Sequence, residues 1–154
     1  MKARTTVLTL ALCFLGAAVG FAQDAQMGTW KLNEGRSKLS PRSPKNTKVV
    51  CGAVGDSVKV TVDGVGSDGK PMHNEWTGKF DGKDYPVTGD PNSDMRSYTK
   101  IDDRTLGLNV RNCGNNTISG RIQVSPNGKT RTVTVRGIDS TGKKFQSTAV
   151  YDKQ

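Results

Sequence analysis

The sequence predicts an all-β protein, an antiparallel up-and-down meander of about 8–10 strands closed into a barrel. Three observations carry this. Apolar and polar residues alternate over short runs, as at Val58, Val60 and Val62. Turn-forming dipeptides recur along the chain, at Asp63-Gly64, Asp68-Gly69, Asp81-Gly82, Asn127-Gly128 and Thr141-Gly142. No segment longer than two helical turns has the apolar period of an amphipathic helix. Closure follows from physics, because a long open meander exposes two unpaired edges and closing it removes both.

In chain order the predicted strands cover residues 27–33, 47–52, 57–64, 71–80, 83–87, 94–101, 104–112, 116–125, 130–138 and 143–151. Leu106, Leu108 and Val110 share one face of theirs, and Ile118, Gly120, Ile122 and Val124 share one face of the next. Period two with one apolar face is the pattern of strands packed on one side only. Pro86 marks an edge or a strand end. Residues 33–46 break the rhythm of tight turns and read as a long polar loop.

Upstream of these strands, Lys2 and Arg4 precede an apolar run from Val7 to Ala22, and Gly20-Phe21-Ala22 has the small-residue spacing read by a signal peptidase. Residues 1–22 are therefore expected to be an export signal, and 23–154 a single domain. The run is shorter than the ~20 residues that span a bilayer, so no transmembrane segment is expected after cleavage. Cys13 lies within it, but Leu12 before it is not the small residue that a lipid-anchor site requires. The expected location is secreted or periplasmic. Losing Lys2 and Arg4 lowers the formal charge from +9 to +7.

Gly28-Thr29-Trp30 opens the first strand and resembles the G-x-W signature of lipocalins and the wider calycin group. The resemblance implies a lipocalin- or calycin-like barrel with Trp30 across its closed base and an arginine packed over the indole. Arg131 and Arg136 are the residues placed for that part. Parity puts Arg131 on the face of Val133 and Val135, and Arg136 opposite. The blocks GTWKLNEGRSK at 28–38, DGKDYPVTGDP at 81–91 and AVYDKQ at 149–154 resemble an uncharacterised family of secreted bacterial proteins, some described as lipocalin-like. That likeness implies no catalytic residue.

Trp76, Phe80, Tyr98, Met72 and Tyr151 are the large side chains expected to line the interior, around a small ligand or as a filled core. Cys51 and Cys113 either pair as one disulfide in an oxidising compartment or remain separate thiols. Arg36, Lys38, Arg42 and Lys45 make the 33–46 loop basic, suited to an anionic head group, surface or polymer. No aromatic residues interleave these charges, so specific nucleic-acid recognition is not expected. His73, the sole histidine, falls on the polar face of its strand and cannot by itself make a zinc site. Asp90-Pro91-Asn92-Ser93-Asp94 begins like a calcium loop, but Met95 and Ile101 stand where glycine and glutamate are required. No metal, cofactor or catalytic motif is expected. Three readings follow: a carrier of a small apolar or amphiphilic ligand, a filled barrel binding an anionic polymer or protein through its basic surface, and an enzyme. The enzyme is the least supported.

Overall fold

A computed structural model describes residues 24–154. The export signal predicted for residues 1–22 lies outside the described residues. Ten antiparallel strands form one closed barrel: β1 (Gly28–Leu32), β2 (Lys45–Val54), β3 (Ser57–Val65), β4 (Pro71–Gly78), β5 (Tyr85–Thr88), β6 (Met95–Asp102), β7 (Thr105–Asn112), β8 (Asn115–Val124), β9 (Thr130–Ile138) and β10 (Lys144–Lys153). Each strand pairs with its neighbour in sequence, and β1 closes the ring by pairing with both β2 and β10. The fold is thus the all-β up-and-down barrel that the alternation predicts, and it is consistent with a lipocalin- or calycin-like barrel.

Alternation fixes which side chains enter the barrel. Trp30, Val49, Cys51, Val60, Val62 and Trp76 are buried from the first half of the chain, and Tyr98, Leu106, Ile122, Val124, Ala149 and Tyr151 from the second. Outward positions carry Lys59 paired with Glu75 at 3.0 Å, together with the exposed Arg121 and Arg136. Among the described residues no helix is long and apolar enough to cross a membrane.

Two ends frame the interior. The base is sealed by the segment before β1, where Trp30 Nε1 donates to the Gln26 carbonyl at 3.0 Å and Gln26 Nε2 donates to the Arg104 carbonyl at 3.1 Å. The opposite end is covered by the 33–44 loop. This segment is more structured than expected, with a 3-10 turn at Glu34–Arg36 and a bridge between Lys38 and Thr148. Ser43 and Ser147 hydroxyls meet at 2.8 Å and pin it to β10.

Two sequence expectations are corrected. Asp63-Gly64 is not a turn but lies inside β3, and the β2–β3 turn is at Gly55, with φ 60°. Gly64 is needed there because an added Cβ would collide with the Lys45 carbonyl and Asn46 Cα across the ladder. The strand predicted to 80 ends at Gly78, where a Cβ would lie 2.5 Å from the Tyr85 ring. The ladder is thinnest at β5, which pairs with β6 through Tyr85↔Arg96 and Pro86↔Met95.

Candidate functional site

The barrel holds a partly open cavity of about 130 Å³. Val49, Val60 and Val62 form one apolar wall, and Leu108, Ile122 and Val133 face them. Leu39, Ser43 and Pro44 of the covering loop border it. Into this apolar space the strands also bring Asn74, Arg96, Arg131, Tyr98 and Tyr151. A mostly apolar hollow with a few polar groups is the usual composition of a small-molecule site.

The two arginines dominate the electrostatics. Arg96 is 7% and Arg131 3% exposed, and neither forms a salt bridge among the described residues. Arg96 Nη2 donates to Asn74 Oδ1 at 3.3 Å, while Arg131 Nη1 lies 3.9 Å from Cys51 Sγ. Among the described residues the Nε atoms of both are buried without a partner. Cys51 does not supply the missing negative charge, because burial pushes its thiol up despite Arg131 beside it. Burial likewise pushes the Tyr151 phenol up to about 12, which keeps its hydroxyl protonated as a neutral donor. Asp90, the acid among the lining residues, accepts from Asn92 N–H at 2.9 Å and Ser93 Oγ–H at 2.6 Å.

Three of the expected interior residues, Met72, Tyr98 and Tyr151, line the cavity. Trp76 is buried but sits beside the cavity in an aromatic cluster: Tyr98 at 4.7 Å and Tyr85 at 5.7 Å edge-on, and Phe80 stacked at 6.3 Å. Phe80 lies beyond the end of β4 and is only half-buried, so it supports the cluster rather than the cavity. Arg131 packs over the Trp30 ring, 5.9 Å from its centroid, joined by Lys153 at 5.3 Å. Arg136 stands on the outer face and is exposed.

The structure pairs most of the basic residues of the loop and decides between the two alternatives for the cysteines. Arg36 pairs with Asp152 at 3.4 Å, Arg42 with Asp139 at 3.4 Å and Lys45 with Glu34 at 3.3 Å. Of the four loop cations, Lys38 alone forms no salt bridge among the described residues. The loop therefore spends most of its charge on fastening itself to the barrel. Cys51 and Cys113 are not bridged: Cys51 is buried on β2, and Cys113 is exposed in the β7–β8 turn. Of these two thiols, only Cys113 is expected to react with a thiol reagent in the native state, and Cys51 should follow upon denaturation. Equal native reactivity would contradict the burial of Cys51.

His73 is exposed on the outer face, with Nδ1 2.6 Å from Asp63 Oδ1 and Nε2 3.7 Å from Glu75 Oε1. The hydrogen bond to Asp63 raises its pKa above the ordinary 6.5. A raised pKa means that this pair supports the fold below the ordinary value and loses that support as pH rises through the folded-state value. An NMR titration should give a His73 midpoint above 6.5, returning toward it in Asp63→Asn. An unshifted wild-type midpoint would contradict the pairing. The 90–94 segment is an Asx-type turn, and no group of residues able to hold a metal occurs among the described residues.

Arg96 is the site residue missed in the sequence reading. Its signal was parity, since it lies two residues before Tyr98 on the same strand and so on the same face.

Solved structures similar to the chain include two ligand-bound β-barrels. A redesigned β-barrel, mFAP1, bound to DFHBI is 18% identical over 86% of this chain and 100% of that one, with a TM-score of 0.44. The structure of EF1p2_mFAP2b bound to DFHBI is 13% identical over 84% and 94%, with a TM-score of 0.46. No family model matches the chain, and no curated protein does.

Proposed function

We propose that this chain is an exported, non-enzymatic carrier that holds a small amphiphilic molecule inside its barrel, in the periplasm or outside the cell. The barrel cavity of about 130 Å³ carries this reading, because its apolar walls are interrupted by polar groups that line it. A core packed for stability alone gains nothing from lining a cavity with such groups, since buried polar groups cost free energy unless paired. Binding works by burial of the ligand's apolar body against the valine and isoleucine walls, with the polar side chains fixing its orientation. The sole histidine, His73, lies on the opposite side of its strand from Met72 and Asn74 and takes no part. The export signal motivates the location, and determination of the N-terminus of the protein recovered from its host tests it. A start at Gln23 is expected, and an intact Met1 would refute export by cleavage. Native mass spectrometry of that same protein tests the carrier role. The expected spectrum shows an added small-molecule mass that is lost on denaturation.

A further inference from the structure

We infer that the ligand is a compact organic anion, a carboxylate on a single ring or a short branched chain, with its charge held by the Arg96 and Arg131 guanidiniums. This rests on the carrier reading and specifies the ligand of the same cavity.

A guanidinium carries five N–H donors and keeps its charge in proteins. Arg96 spends one donor on Asn74 and Arg131 one on the weak acceptor Cys51, although both side chains are more than nine-tenths buried. Two buried cations without a carboxylate partner are costly, and deletion of either partner of a buried pair is destabilising for the same reason. Here the missing partner has a place to stand, because both arginines border the same cavity. A carboxylate there accepts charge-assisted hydrogen bonds of the strong class. Tyr98 and Tyr151 border the space as well, and their phenols are suited to complete the shell of a bound oxygen.

Size narrows the class further. A dry cavity of roughly 150 Å³ takes up benzene. The present one is about 130 Å³, with the 33–44 loop bordering it, and it is partly open. A ring or a short branched chain fits this volume, whereas a long acyl chain exceeds it and has to extend out of it or part the walls.

The test uses sodium benzoate, benzyl alcohol as its neutral counterpart and laurate as a long-chain anion. Calorimetry and tryptophan fluorescence report binding, with Trp30 beneath Arg131 and Trp76 bonded to the Arg96 carbonyl. Benzoate is expected to bind at least ~10-fold more tightly than benzyl alcohol, in line with the strength of charge-assisted pairs. Arg96→Met and Arg131→Met should each weaken benzoate at least ~10-fold and leave benzyl alcohol unchanged. Arg96→Met should also raise the melting temperature of the ligand-free protein, an outcome opposite to that of a merely structural arginine. If Arg131→Met does not fold, Arg131→Gln replaces it. Equal affinity for benzoate and benzyl alcohol, or benzoate binding unaffected by the arginine variants, overturns the anion and leaves the carrier. Laurate binding as tightly as benzoate overturns the size class. Uptake of none of the three, together with a native mass equal to that of the polypeptide alone, overturns the carrier reading itself.

Discussion

Trp76→Ala is expected to destabilise the barrel by about 3–5 kcal/mol, measured as the free energy of unfolding in urea. Trp76 is 1% exposed, and its ring contacts those of Tyr98, Tyr85 and Phe80. Loss of the indole removes those contacts, each worth about 0.5–1.5 kcal/mol beyond burial, and deprives the Arg96 carbonyl of its donor. Local collapse offers little relief, since the neighbouring Gly78 has no side chain with which to fill the gap. A small domain has roughly 5–15 kcal/mol in total, so this one residue accounts for a large share. Trp76→Phe retains a ring and should recover more than half of the loss. A cost below about 1 kcal/mol for the alanine variant would show that the cluster does not hold this side of the barrel.

Trp30→Ala is expected to cost about 3–5 kcal/mol by a different route. The ring is fully buried at the base, where its N–H ties the Gln26 carbonyl and its face carries Arg131. Without it the base opens and Arg131 loses a cation–π contact worth about 1 kcal/mol. Because Arg131 is a proposed ligand contact, this variant should weaken anion binding as well as stability, whereas Trp30→Phe should preserve much of both. Denaturant unfolding and benzoate calorimetry on the same sample distinguish the two effects. Loss of stability without any change in benzoate affinity would separate Trp30 from the site.

The strands were legible because a half-buried strand must alternate, and each of the ten observed strands overlaps a predicted run. Trp30, with Arg131 above it, was legible from the G-x-W resemblance and from parity. The errors share a physical cause. Asp63-Gly64 is a turn dipeptide by propensity, but the glycine serves a close approach of Lys45 across the ladder, and composition does not separate those uses. Arg96 was passed over because a charged residue in an alternating run is ordinarily taken to face water. A cavity reverses that rule. The partners of Arg36 and Arg42 are Asp152 and Asp139, far along the chain and brought near only by barrel closure, so the loop read as an uncompensated basic surface. The separation of Cys51 and Cys113 has the same origin, because spacing along the chain says nothing of distance across a barrel.

Ligand occupies the space inside the barrel in the proposed carrier, and Ala149→Leu tests this without substituting either arginine. Ala149 lines the cavity and is 9% exposed, so a leucine there takes up part of its volume at a modest packing cost. Wild type and Ala149→Leu, purified side by side from the same host, are compared by native mass spectrometry and by circular dichroism. The wild type should carry a small-molecule mass, and the folded variant should have lost it. A folded Ala149→Leu that retains the same mass at the same occupancy would place the ligand elsewhere and contradict the account.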